Sequence, residues 1–124
     1  MEGKAIAIRA TEHVTEIDIS GEGCEHATRI SEILHGDGDL LYLHVDDGIH
    51  CYVNEEGRKR GYWQNRVATR WMHSRGWGLE PYDYICGTMV ILGHSGGLEV
   101  GLTDEEVSAI LGELKELEID ARRG

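Results

Sequence analysis

Two apolar runs separated by Asp46-Asp47-Gly48 constrain the fold of this chain more than any other feature. The runs, LLYLHV at 40–45 and IHCYVN at 49–54, are rich in the β-branched and aromatic residues that favour strands. An Asp-Gly pair between two such runs is a strong signal for a tight turn, because these residues accept the backbone conformation that a hairpin turn requires. The sequence therefore predicts an antiparallel β-hairpin at 40–54.

A second hairpin is predicted near the beginning of the chain. Residues 4–9 (KAIAIR) and 14–19 (VTEIDI) both alternate apolar and polar side chains, with a short connection between them. Val14 is out of phase with Ile17 and Ile19, which permits either a β-bulge or a strand that begins at residue 15.

Two further strands are predicted in the second half of the chain. YICGTMVIL at 84–92 is typical of a buried strand, with Gly87 as a bulge or a point of close backbone approach. The glycine-rich segment 93–97 is interpreted as a flexible loop, and LEVGL at 98–102 as a short strand.

Helical spacing of apolar residues predicts helices at 25–35, at about 62–75 and after Thr103. The third has a capping box, because Thr103 is followed three residues later by Glu106. The order ββ-α-ββ-α-β(β)-α predicts an α+β fold, in which three helices pack mainly on one face of an antiparallel or mixed sheet of about five to six strands. One domain, 1–124, is expected, with a frayed tail at 118–124.

The composition narrows the range of partners. The chain of 124 residues carries 23 acidic and 12 basic residues, a formal net charge of −11. As a whole such a chain repels nucleic acid and anionic membranes, so neither is an expected direct partner. The same acidity suits a protein that competes for a basic partner, including an anti-restriction protein that mimics the phosphate array of DNA.

The location is predicted from what the sequence does not contain. No apolar run is long enough for a membrane-spanning helix, and the apolar part of the N-terminus is too short for a signal peptide. The three cysteines, Cys24, Cys51 and Cys86, are odd in number and widely spaced, which favours reduced thiols over a disulfide framework. We therefore expect a cytoplasmic protein.

The segment 58–75 stands apart because it has a charge of +6 and contains no acidic residue, which leaves −17 on the rest of the chain. Its helical pattern puts Trp63, Val67 and Trp71 on one stripe, which we expect to face inward. We predict an interaction surface on the opposite side and in the preceding loop, formed by Arg58, Lys59, Arg60, Arg66, Arg70 and His73. The alternative is that these cations neutralise acidic neighbours such as Glu80 and Asp83.

Several blocks of the sequence resemble a small family from actinobacteria and their bacteriophages that is described only as a domain of unknown function. The blocks are KAIAIRATEHVTEIDI, CYVNEEGRKRG, Asn65 with Ala68-Thr69, YDYICGTMVILG and GLTDEEV, and their order matches along nearly the whole chain. The resemblance implies a small accessory protein of the phage type, located in the host cytoplasm if phage-encoded, and it implies no activity. The family often has a proline before the asparagine, whereas Gln64 precedes Asn65 here.

No residue pattern predicts catalysis, a metal site or a cofactor. His44 and His50 are potential cross-strand neighbours in the 40–54 hairpin, but no pair has the spacing of a metal-binding motif. Ser95 lies in GHSGG, which contains Gly-x-Ser-x-Gly, yet a strand rather than a helix is predicted after it, unlike a nucleophile elbow.

The predictions favour a non-enzymatic protein that binds and modulates a host protein. The first alternative is the acidic DNA mimic. The second is a small ligand-binding domain or enzyme with a pocket near Asn65 and Thr69, and the third is a module that assembles into homo-oligomers.

Overall fold

A computed structural model of the protein describes residues 3–10, 14–18, 25–34, 40–46, 48–54, 61–75, 79–80, 82–95 and 98–123. The elements follow the order β1 (Lys4–Ile8), β2 (Val14–Asp18), α1 (Glu25–Ile33), β3 (Leu40–Asp46), β4 (Ile49–Asn54), α2 (Arg66–Arg75), β5 (Met89–Ser95), β6 (Leu98–Val100) and α3 (Asp104–Arg123). Helix α3 continues into the segment 118–124, for which fraying is expected.

The six strands form one antiparallel sheet with the order β2-β1-β5-β4-β3, and β6 pairs with the end of β5. This arrangement confirms the predicted α+β class and both hairpins. In the β3–β4 hairpin, Tyr42 pairs with Tyr52, and His44 pairs with His50, the two histidines that the sequence indicated as potential cross-strand neighbours. Gly48 in the turn has a φ of 98°, a conformation that favours glycine.

The first hairpin is regular, and Ile8 pairs directly with Val14. No bulge is needed to explain the phase of Val14, because both faces of the sheet are covered. Val14 packs against the core on one face and Ile17 against the core on the other. A strand of this kind buries apolar residues of both phases.

Each face of the sheet has its own hydrophobic core. Helices α2 and α3 cover the larger core, to which they contribute side chains such as Trp71, Met72 and Ile110. Helix α1 covers the smaller core with Ile30 and Leu34. Two of the three helices therefore share a face.

Helix α3 begins as the sequence predicts. The Thr103 N–H donates to Glu106 Oε1 at 2.9 Å, and the Glu106 N–H donates to Thr103 Oγ1 at 3.1 Å. These reciprocal bonds satisfy backbone donors that have no partner inside the helix. Within the described residues, no helix combines the length and the apolar character needed to cross a membrane.

The predicted bounds of three segments were wrong. Residues 93–95 of the expected flexible loop at 93–97 belong to β5, because they pair with β6. The strand expected at 84–92 begins at Met89, because Gly87 turns the preceding backbone with a φ of 83° and only Cys86 forms an isolated bridge, with Gln64. The helix expected at about 62–75 begins at Arg66. The later start of this helix results from Asn65, whose side chain caps it.

Candidate functional site

Asn65 caps helix α2 and joins it to the sheet. Its Oδ1 accepts a hydrogen bond from the Ala68 N–H at 3.0 Å, which is the geometry of an N-cap residue. Its Nδ2 donates to the carbonyl oxygens of Ile8 and Gly87, both at 2.8 Å. Asn65 is fully buried, and one side chain therefore holds three segments of the chain together.

Thr69 lies one turn further along α2 and extends the same network. Its Oγ1 donates to the Asn65 carbonyl at 2.7 Å and accepts from the Ile85 N–H at 2.9 Å. The Asn65 N–H in turn donates to the Ile85 carbonyl at 2.7 Å. The structure thus brings the two predicted ligand-binding residues together, but it directs their polar atoms at the protein's own backbone.

The Asn65 cap explains why Trp63 lies outside the helix. We expected Trp63 to face inward with Trp71, and this prediction was wrong for Trp63, whose side chain is 73% exposed. It was right for Trp71, which is fully buried and donates from Nε1 to Glu113 Oε1 at 3.3 Å. A helical wheel that begins at residue 62 places Trp63 on the buried stripe with Trp71. Trp63 precedes the first residue of α2, however, so the wheel does not describe the direction of its side chain.

Trp63 lies at an open groove with a volume of about 390 Å³. The groove lies where the end of β1, the end of α1 and two segments next to Asn65 meet. It is lined by Arg9, Ala10, Leu34, Gly61, Tyr62, Trp63, Gly87 and Thr88. The groove lies beside the Asn65 network, but neither Asn65 nor Thr69 is among the residues that line it.

Gly87 shapes one wall of this groove. Its N–H donates to the Trp63 carbonyl at 2.8 Å, and its own carbonyl accepts from Asn65. A Cβ atom added at Gly87 would lie 2.9 Å from Cδ2 of the Tyr62 ring. The position of the Tyr62 ring therefore depends on a glycine at 87.

Two arginines flank the hydrogen bond between Asn65 and Ile8, because Arg9 follows Ile8 and Arg66 follows Asn65 in the chain. Arg66 is exposed, and Arg70, one helical turn later, is half-buried. Within the described part of the chain, no acidic side chain forms an ion pair with Arg9, Arg66 or Arg70. Arg9 therefore lines the groove without a described counter-charge, and Arg66 and Arg70 on α2 also lack one among the described residues.

The remaining predicted cations have different environments. His73 is half-buried, and its Nε2 donates to the Glu80 carbonyl at 3.1 Å, which ties α2 to the segment that follows it. Arg75 donates to both carboxylate oxygens of Glu113 at 2.9 Å and lies over the Trp71 ring. The predicted surface residues Arg58, Lys59 and Arg60 lie outside the described residues.

A second polar cluster, which was not predicted, lies on the face of the sheet that α1 covers. His50 is 1% exposed, and its Nε2 lies 3.0 Å from Glu99 Oε2, which also accepts from the Tyr52 hydroxyl at 2.6 Å. The rings of Tyr42 and His94 pack against His50 at centroid distances of 4.8 and 5.7 Å. Burial, together with the hydrogen bond to Glu99, raises the pKa of the Tyr52 hydroxyl.

This cluster has titratable groups but no described route for a substrate. His50 Nδ1 is buried and has no hydrogen-bond partner among the described residues. Those residues also contain no group of three or more side chains with the geometry of a metal site. We therefore interpret the cluster as an interaction that holds β6 against β4 across the sheet.

The cysteines that the structure describes are free, as the sequence indicates, whereas Ser95 lies in strand β5 rather than in the flexible loop that was expected. Burial raises the pKa of the Cys51 thiol, which lies 3.8 Å from the sulfur of Met72, and Cys86 is half-buried and also free. Cys24 lies outside the described residues. Ser95 is exposed at the end of β5 and is followed by β6, so the strand–turn–helix arrangement of a nucleophile elbow is not present there.

The comparison with known families identifies the domain but gives it no activity. Residues 3–115 match the family model of a domain of unknown function, DUF3846. The chain belongs to the DUF3846 family. No curated protein and no solved structure gave a significant match. The match covers the whole sheet, the groove and the first part of α3, so these features lie within the family domain.

The signals that could have located the groove were local ones. Asparagine is among the best N-cap residues, so the start of α2 could have been predicted from Asn65. An N-cap at Asn65 accepts a hydrogen bond from the backbone N–H three residues later, at Ala68. Once Asn65 is outside the helix, Trp63 is no longer on the helical stripe. The pairing of His50 with Glu99 had no comparable signal, because the two residues are 49 positions apart.

Proposed function

We propose that this DUF3846 protein is a small non-enzymatic binding protein that docks an acidic segment of a partner protein. The observation that carries the proposal is Trp63, a large aromatic side chain that is 73% exposed beside a groove that Arg9, a cation without a described ion pair, also lines. Tryptophan and arginine are the residues most enriched where protein interfaces gain their binding energy.

The charge distribution supports an acidic partner. Arg66 and Arg70 lie in the segment that carries +6, in a chain whose remaining residues carry −17. A cationic patch attracts an acidic partner by local charge complementarity. The acidic surface on the rest of the protein repels the same partner, so binding is confined to the patch. In a phage setting the partner would be a protein of the host cytoplasm, which the binding would modulate.

The experiment compares the protein with its Arg66→Glu/Arg70→Glu variant as baits for host lysate at low and moderate salt. Neither side chain is fully buried, and neither has an ion pair among the described residues, so the variant should keep its thermal unfolding midpoint. We expect a stoichiometric partner on the original protein and none on the variant. A matched control, Glu105→Lys/Ser108→Lys, changes the charge of exposed positions on α3 and should retain the partner.

The proposal fails if no stoichiometric partner is recovered at either salt concentration, or if the Arg66→Glu/Arg70→Glu variant recovers the same partner. It also fails if a single-stranded oligonucleotide binds the original protein and displaces that partner. An exposed tryptophan beside arginines also has the chemistry for base stacking, and only the acidity of the chain opposes it.

The groove favours a second candidate, a site for a small anionic ligand with a flat apolar part. A volume of about 390 Å³ lies within the range of small-molecule sites, and Trp63, Tyr62 and Arg9 provide stacking and a charge. Such a ligand would lose affinity in Arg9→Ala and Trp63→Ala proteins but not in the Arg70→Glu protein. A screen of small carboxylates and phosphates by tryptophan fluorescence separates it from the protein-docking proposal.

The acidic DNA mimic remains a third proposal, and it is supported by the net charge of −11 alone. A mimic would relieve the inhibition of growth or infection that a restriction enzyme causes, and would compete with DNA for that enzyme. Its binding should be insensitive to Arg66→Glu, because the interacting surface would be the acidic one.

A further inference from the structure

The side chains that line the groove beside Trp63 offer hydrogen-bond donors and include no acid. The polar groups among them are the Arg9 guanidinium, the Trp63 indole N–H and the hydroxyls of Tyr62 and Thr88. Guanidinium and indole groups can only donate hydrogen bonds, whereas hydroxyls can donate or accept. No hydrogen bond or ion pair joins any of these four groups to another described residue. The groove therefore favours an occupant that supplies acceptors, above all a carboxylate.

The lining also limits how many charges an occupant can bring. Arg9 is the one charged residue among the eight that line the groove. The chain as a whole has a formal net charge of −11. Each further negative charge on an occupant would be repelled by the rest of the protein and would meet no second cation in the lining. The groove therefore matches a single carboxylate rather than a run of acidic residues.

An apolar surface accompanies this one charge. Ala10 and Leu34 contribute aliphatic atoms to the lining, and Tyr62 and Trp63 contribute aromatic rings. Trp63 is 73% exposed, so most of its ring is available for contact with an occupant. Aromatic rings in offset or edge-to-face contact gain more than their burial alone provides. The apolar part of the occupant is therefore expected to be an aromatic side chain.

The open shape of the groove favours a peptide over a free small molecule. Small-molecule sites are concave and bury most of the surface of their ligand. This groove, of about 390 Å³, is open, and the ring of Trp63 remains largely exposed at it. An occupant held in an open groove needs further contacts outside it, and a segment of a protein chain supplies them from its neighbouring residues.

We infer that the groove accepts one aromatic residue of a partner segment together with one adjacent acidic residue. The aromatic side chain packs against Trp63, and the carboxylate binds the Arg9 guanidinium. This inference rests on the proposed docking of a partner segment and specifies which residues of that segment the groove recognises.

The test follows the indole N–H signals of isotope-labelled protein by NMR during titration with short peptides. The Trp63 signal is identified by its absence from Trp63→Phe protein. The reference peptide, Gly-Ser-Phe-Asp-Ser-Gly, is blocked at both ends, so that the aspartate carries its only charge. We expect a saturable shift of the Trp63 signal, and an affinity that falls by about tenfold or more when asparagine replaces the aspartate.

Two further peptides test the aromatic residue and the single charge. Alanine in place of the phenylalanine should lower the affinity by about tenfold, because the contact with Trp63 is lost. A peptide with aspartate at every position around the phenylalanine should bind no more tightly than the reference, because Arg9 can neutralise only one carboxylate.

A double-mutant cycle assigns the carboxylate to Arg9. Arg9→Gln should weaken binding of the reference peptide by about tenfold and change binding of the asparagine peptide by less than about twofold. Lys115→Gln removes one cation from an exposed position of α3 and should change neither by more than about twofold. An unchanged indole signal of the buried Trp71 shows that each variant is folded.

Equal binding of the aspartate and asparagine peptides would overturn this inference, and so would an Arg9→Gln protein that binds both peptides equally less well. Benzoate or a short oligothymidylate that shifts the Trp63 signal at a lower concentration than the reference peptide would also overturn it, because the occupant would then be a small molecule or a nucleic acid. A partner recovered from lysate, combined with no coupling between Arg9 and the aspartate, would refute this inference and leave the docking function standing.

Discussion

The side-chain amide of Asn65 lies 2.8 Å from the carbonyl oxygen of Ile8, a residue 57 positions earlier in the chain. This one bond connects the start of α2 with the end of β1. Arg9, which follows Ile8 in the chain, lines the Trp63 groove, and Arg66, which follows Asn65, is the first residue of α2. The stability of the fold and the geometry of the candidate site therefore depend on the same side chain.

Replacing Asn65 with alanine should lower the free energy of unfolding by roughly 2–4 kcal/mol, as the sum of a lost N-cap and two buried carbonyl groups left without donors. Urea denaturation measures the change. Gln64→Ala, at an exposed neighbouring position, should have an effect of less than about 0.5 kcal/mol. If Asn65→Ala were as mild as Gln64→Ala, the three hydrogen bonds would not be important in solution.

Truncation of the two tryptophans of the 62–75 segment should change the stability of the protein by very different amounts. Trp71→Ala removes a fully buried ring and should cost about 3–5 kcal/mol of stability, whereas Trp63→Ala should change stability by less than about 0.5 kcal/mol. Thermal denaturation measures both, and an acrylamide titration should quench Trp63 far more strongly than Trp71. A large stability loss in Trp63→Ala would mean that its ring is buried after all.

Gly87→Ala should destabilise the protein by about 1–3 kcal/mol and disturb the groove. Its φ of 83° is unfavourable for alanine, and the new Cβ would approach Tyr62 to 2.9 Å. Gly112→Ala is the matched control, because Gly112 lies in α3 and a Cβ there meets no atom within 4 Å. That control should stabilise the protein by about 0.5–1 kcal/mol, since alanine has the higher helix propensity. Equal effects of the two substitutions would contradict the positive φ at Gly87.

Stability should fall as the pH rises above about 9. Burial raises the pKa of Cys51 above its ordinary value of 9.0 and that of Tyr52 above its ordinary value of 10.0. The unfolded chain therefore releases these protons first, so the stabilisation is complete below the ordinary values and is lost as the pH rises past them. Urea midpoints between pH 8 and 11 measure the slope.

Tyr52→Phe and Cys51→Ala proteins should each show a smaller loss of stability over that pH range than the original protein, whatever their stability at pH 8. An unchanged slope in both variants would mean that other groups cause the alkaline transition. Tyr84→Phe is a suitable control, because it removes the same kind of hydroxyl from an exposed residue.

Much of the fold was predictable because its signals are local. The alternation in β1 and β4, the Asp-Gly turn before Ile49 and the capping box at Thr103 each lie within a few residues, and the structure contains the corresponding elements. Local patterns were misleading where a long-range contact decides the conformation. The helical wheel of 62–75 included Trp63, yet the bonds from Asn65 to Ile8 and Gly87 accompany a helix that begins only at Arg66, after Trp63.

The sequence by itself determined the secondary-structure order, the antiparallel hairpins, the acidic balance of the chain and the family to which it belongs, because all of these depend on residue type and short spacing. Only the tertiary structure decided which tryptophan is buried, and that the polar side-chain atoms of Asn65 and Thr69 bond to backbone groups. These properties depend on which distant segments supply hydrogen-bond partners and cover apolar surface, and spacing along the chain contains no information about that. The inward direction of Trp71 followed from its sequence position, whereas the outward direction of Trp63 followed from the bond between Asn65 and Ile8.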